Sequence, residues 1–130
     1  MSRASDLQAW LDKAQEDWLC VRNEMAAAQT PWAVVSFHAQ QAAEKTLKAL
    51  LVVHGQFPPR VHDLARLLDL CLQFEPGLET VRDDCEHLSQ CAVDVRYPDV
   101  GLTIEATIGR DAVAAAERIC DAIRPLLVTK

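Results

Sequence analysis

His38, Gln41, Lys45 and Lys48 stand three and four residues apart in an uninterrupted helical pattern, so they share one face. Gln40 and Glu44 flank this strip, and Glu44 precedes Lys48 by four residues, the favourable order for a helical ion pair. Two ammonium groups on adjoining turns suit a phosphate. The same residues also describe a solvated edge between two packed faces, and spacing alone leaves both readings open. Two loops add further groups. His62 and Asp63 open a helix, where they serve either its cap or a ligand. Arg96-Tyr97-Pro98-Asp99 closes another helix with a bidentate guanidinium, a stacking ring with a hydroxyl, and an acceptor carboxylate. Arg96 is equally suited to the last carbonyls of its own helix. The candidate ligand-binding set is Gln41, Lys45, Lys48, His62, Arg96, Tyr97 and Asp99.

Other chemistries find less support. His87 and Cys91 stand four apart with Cys85 nearby, but structural zinc takes four ligands and no second pair has ligand spacing. HExxH, paired ExxH, GxSxG and glycine-rich phosphate loops are all missing, so no metal and no cofactor is expected. Asp83 and Asp84 fall on a face expected to be exposed. Trp10 and Trp18 lie on an apolar stripe, which reads as core before it reads as a ligand platform.

The elements that position these groups are helical throughout. Residues 31–55 form the central helix, with Thr30 as the expected cap, Pro31 in the first turn and Gly55 as the stop. One apolar stripe holds Val35, Ala39, Ala42, Ala43 and Leu50; a second holds Ala33, Phe37, Leu47 and Leu51. A helix so widely apolar packs against several neighbours. Before it, residues 5–28 predict a helix capped by Ser5, and the short turn to the central helix predicts an antiparallel pair. After it come a proline-stiffened connector at 56–61 and helices over 62–74, 78–95 and 104–124. Trp32 and Phe57 are read either as exposed anchors or as core. The expected fold is all-α, an up-and-down four- to five-helix bundle, as one domain over residues 1–130.

Half of the 130 residues are hydrophobic and a quarter charged, the balance of a globular chain. The formal net charge of −6 gives no overall basic footprint, so RNA is not an expected partner. No run approaches the length of a membrane span and no signal peptide is evident, which predicts a cytoplasmic protein without membrane contact. The five cysteines form no CxxC pair and read as small apolar core residues.

The run Gln41-Ala42-Ala43-Glu44-Lys45-Thr46-Leu47-Lys48-Ala49-Leu50-Leu51, then Gly55, His62-Asp63-Leu64 and Arg96-Tyr97-Pro98-Asp99, resembles the HEPN domain family in order and over nearly the whole chain. The resemblance implies a helical bundle that commonly dimerises. It also implies a binding module for a nucleotide or phosphorylated ligand, or a partner of a minimal nucleotidyltransferase. The family's ribonuclease branch, which includes toxins, uses an arginine followed within a few residues by a histidine. Arg96 matches the arginine, but no histidine follows it in the sequence. That removes the expected acid/base group, so Arg96 is catalytic only in an atypical, metal-independent endoribonuclease, and the chain is read as more a binder than an enzyme. An antitoxin-like or scaffold homodimer, with a purely structural polar strip, is the remaining alternative.

Overall fold

The computed structural model describes residues 2–96 and 106–128, with side chains described in all of these except residues 91–96. Five α-helices result: α1 (Arg3–Met25), α2 (Trp32–Val53), α3 (Leu64–Leu72), α4 (Arg82–Arg96) and α5 (Ala106–Ile123). Short 3-10 turns follow α3 at Pro76–Val81 and α5 at Arg124–Leu126. Among the described residues there is no strand, and the bundle is all-α.

α2 is the axis. Val35, Ala39, Ala42, Ala43, Leu47 and Leu50 are completely buried, and Leu51 nearly so. The alanines leave room for α1 and α5 to approach, while the leucines fill the space towards α3 and α4. Each buried leucine contributes about 1.5–3 kcal/mol by leaving water. The second expected stripe divides: Leu47 and Leu51 are buried, whereas Ala33 and Phe37 lie exposed beside Val34. Leu7 and Trp10 of α1 cover α2 around Ala49 and Val52, and among the described residues no comparable side chain is packed on the strip nearer its start.

Contacts fix the directions. Arg3 approaches Gly55, and Asp17 meets His38 and Lys45, so α1 and α2 are antiparallel. The connector returns along α2, bringing the His62 carbonyl to Gln40, and Cys71 then meets the Leu47 carbonyl further on. Thus α3 runs in the direction of α2. Ser89 bonds at the start of α3 and Arg82 reaches Asp69, which makes α4 antiparallel to α3. Arg118 grips Asp84 through its Nε and Nη2, tying α5 back across α4.

The helix ends follow local chemistry and shift some expected boundaries. Ser2 rather than Ser5 caps α1: its Oγ accepts from the Ser5 backbone N–H at 3.1 Å, placing Ser5 in the first turn. Pro31 rather than Thr30 occupies the α2 cap, without a side-chain bond. At the other end the N–H of Gly55 donates to Val52 and that of Gln56 to Leu51, both at 2.9 Å. This doubly bonded ending requires a left-handed residue, and Gly55 has φ +75°. Asp63 caps α3 by accepting from Ala65 N–H at 2.9 Å. The fourth helix, expected from residue 78, is preceded there by the 3-10 turn. Trp18 is core, as its stripe predicts. Trp32 packs partly buried against the core, while Phe57 is 92 % exposed.

Gly109 is a close-approach glycine. A Cβ built there would overlap Cε3 of Trp32, whose ring also carries the Arg110 guanidinium 5.0 Å from its centroid. Gly109→Ala improves helix propensity by about 1 kcal/mol. The overlap with an indole wedged between two helices costs about 1–3 kcal/mol and outweighs that gain. A lowered melting temperature with altered tryptophan fluorescence is the expected result; a raised melting temperature would refute the tight contact.

Burial pushes the Cys71 and Cys85 thiols from an ordinary 9.0 up to about 12. Above pH 9 the unfolded chain therefore loses these protons while the folded chain keeps them, and stability falls as pH rises. Urea denaturation between pH 8 and 11 should show this decline, reduced in Cys71→Ala relative to that variant's own pH 8 value. An unchanged slope in the variant would contradict it.

Candidate functional site: a charge-matched seam on the central helix

The polar strip of α2 resolves into two clusters of the same composition, each a buried carboxylate, a lysine and a histidine. In the first, Asp17 reaches across from α1 and is only 6 % exposed. Its Oδ2 accepts from Lys45 Nζ at 2.6 Å and its Oδ1 from His38 Nδ1 at 2.8 Å. In the second, Glu44 is 3 % exposed and accepts from Lys48 Nζ at 3.2 Å, while His62 Nδ1 lies 3.1 Å from both carboxylate oxygens. Lys48 is itself only 5 % exposed, under the ring of Trp10 at 5.6 Å. The aromatic face adds a cation–π contact to the ammonium.

An ionised carboxylate only accepts hydrogen bonds, so both imidazoles donate from Nδ1 and, when neutral, keep a lone pair on Nε2. His38 is half-buried, and the His62 side chain is 65 % exposed. A chain of amides runs from the His62 carbonyl to Gln41. Gln40 Nε2 donates to the His62 carbonyl at 3.2 Å, and Gln41 Nε2 donates to Gln40 Oε1 at 2.9 Å. The His62 carbonyl can only accept, which fixes the orientation of both amides and leaves Gln41 Oε1 outward.

The structure thus brings Gln41, Lys45, Lys48 and His62 onto one seam. It alters what the lysines offer: both expected phosphate contacts are already matched by a carboxylate, and Lys48 is enclosed. Arg96 ends α4 two turns, about 10 Å, beyond Ser89. It therefore lies towards the start of α2, but its side chain is outside the described ones. Tyr97 and Asp99 lie outside the described residues altogether. The expected set omits Asp17, although an acid among Ala14, Trp18 and Val21 on an apolar stripe is a readable signal. It also omits His38, which the spacing places on the strip. Among the described residues no three metal-ligating side chains converge, and no helix is long and apolar enough to cross a membrane.

Removing one member of a buried pair strands the other charge. Glu44→Leu should cost about 3–5 kcal/mol by leaving Lys48 uncompensated. Combining it with Lys48→Met replaces the pair by apolar volume and should restore most of that loss. A loss in the double variant equal to the sum of the Glu44→Leu and Lys48→Met single losses, read by urea denaturation, would show that the two side chains are not coupled.

Comparison with known proteins agrees with this architecture. The crystal structure of TT1696 from Thermus thermophilus superposes with a TM-score of 0.79 at 24 % identity, covering 93 % of this chain and 98 % of that one. That likeness establishes the fold. No curated protein matches the sequence. A family model described as the HEPN domain matches residues 7–126. With that match spanning most of the bundle and its seam, the chain belongs to the HEPN domain family.

Proposed function

We propose that this HEPN-family bundle is a binding module, with the seam on α2 taking a nucleotide or phosphorylated ligand, either alone or as the docking partner of a minimal nucleotidyltransferase. The observation that carries the reading is the gradient along the seam. Carboxylates at 6 % and 3 % exposure hold imidazoles that reach the surface, with Gln41 between them. Buried charges used to orient exposed polar groups are a costly arrangement for helix packing alone, since apolar side chains fill the same volume at lower cost. On this reading Arg96, Tyr97 and Asp99 supply further contacts, and the protein works in the cytoplasm as a homodimer.

A scaffold role is the second reading. It is favoured by Lys45 and Lys48 each having an internal partner, which a purely structural seam requires. An endoribonuclease built on Arg96 has less support, because no histidine follows Arg96 in the sequence.

Titration calorimetry of the full chain against a panel of nucleotides tests the ligand half. At least one nucleotide should bind with Kd below about 1 mM. His62→Ala should weaken that binding about tenfold while leaving the melting temperature within a few degrees, because its ring is mainly exposed. No detectable binding would overturn the ligand half. Failure to co-purify a nucleotidyltransferase would remove the partner half.

A further inference from the structure

We infer that the open stretch of the seam, around Phe37, His38 and Gln41, receives the uncharged nucleoside part of a ligand and leaves its phosphates outside; this rests on the nucleotide-binding reading and specifies it. The first argument is charge. Asp17 is matched by Lys45 and Glu44 by Lys48 at hydrogen-bond distance, so the four ionised side chains cancel. A phosphate brings a charge of about −1.5 to −2 and only acceptor oxygens. Among the described side chains of the seam it would find no unmatched cation. An amine fares no better, because both carboxylates are already occupied.

The second argument is the hydrogen-bonding pattern. Among the described residues nothing bonds Nε2 of His38 or His62, and the amide chain leaves Gln41 Oε1 outward. These are three acceptors held in place from behind. Lys45 and Gln41 retain spare N–H groups beside them, as each uses one in the bond described above. A neutral ligand with both donors and acceptors meets this pattern: exocyclic amines and ribose hydroxyls donate to the imidazoles and the amide oxygen, and ring nitrogens or carbonyls accept in return. Phosphate oxygens would meet only the spare N–H groups of Lys45 and Gln41 and would face lone pairs at the imidazoles and the amide oxygen.

The third argument is the apolar wall. Phe37 precedes His38 and lies four residues before Gln41, so the ring and the amide share one side of the helix. The ring is 36 % exposed and stands edge-on to the His38 imidazole, with centroids 5.3 Å apart and planes at 79°. A base lying on that face would stack on an aromatic platform, an interaction tolerant of base identity. The platform meets its polar contacts one helical turn away.

The test is calorimetry of the full chain with the four ribonucleosides, their 5′-monophosphates and inorganic phosphate as separate titrants. A nucleoside and its monophosphate should bind with Kd values within about threefold of each other, and inorganic phosphate should not compete. Phe37→Ala and Gln41→Ala should each weaken nucleoside binding about tenfold. Gln41→Ala leaves both carboxylate pairs intact, so it reports on binding even where a His38 variant unfolds. A monophosphate at least about tenfold tighter than its nucleoside, or displacement by inorganic phosphate, would overturn the inference while leaving nucleotide binding standing. Absence of binding by nucleosides and nucleotides alike would overturn both.

Discussion

The arrangement depends on two carboxylates held almost out of water, Glu44 on the central helix and Asp17 reaching it from α1. Moving a carboxylate out of water carries a penalty of several kcal/mol, recovered only where partners are close and well directed. Asp17 and Glu44 each have two such partners that tie neighbouring elements together: Asp17 of α1 is held by two side chains of α2, and Glu44 of α2 by one from its own helix and one from the connector before α3. The consequence is geometric. Neither α1 nor the connector can slide along α2 without leaving a buried charge unpaired. The seam therefore fixes an axial register that apolar packing, which tolerates small slips, does not fix by itself.

Close packing on the opposite side of α2 supplies the matching constraint. Ala39, Ala42 and Ala43 admit α5 near the helix backbone, with Cys120 Sγ directed at Thr46 Oγ1 at 3.4 Å. Gly109 lets the start of α5 come against Trp32. Small residues on one side and paired charges on the other give α2 two kinds of contact, one setting distance and the other setting register. The left-handed ending at Gly55 then turns the chain back along α2, which is how His62 arrives beside Glu44 despite lying beyond the helix end.

Much of this was legible in the sequence. Helical periodicity, proline and glycine stops and the absence of alternating strand patterns gave the all-α bundle, because these signals are local. The strip His38-Gln41-Lys45-Lys48 was equally visible. What sequence spacing does not carry is the partner across an interface. Asp17 acts through α1, and His62 reaches Glu44 through a connector whose path is not encoded by periodicity. Lys48 looked available because a lysine usually is. Only the position of Trp10 and the closeness of Glu44 show it enclosed. Boundary differences were smaller and local: a serine three residues earlier completed the α1 cap, and proline took the cap position of α2.

The same charge matching bears on how a strip can be structural and receptive at once. Along α2 the polar residues grade from enclosed to open: Lys48 lies under Trp10, Lys45 is half-buried against Asp17, and Gln41 and His38 reach the surface beside the exposed Phe37. The enclosed end behaves as core, since removing a partner there leaves a charge in a low-dielectric setting. At the open end water competes for every bond, so individual contacts contribute little to folding. His38 is nonetheless anchored by the Asp17 carboxylate and Gln41 by the Gln40 amide oxygen. On the proposed binding reading, that division places stability in Asp17, Glu44 and their lysines and leaves the outward imidazole and amide atoms for contact with the ligand.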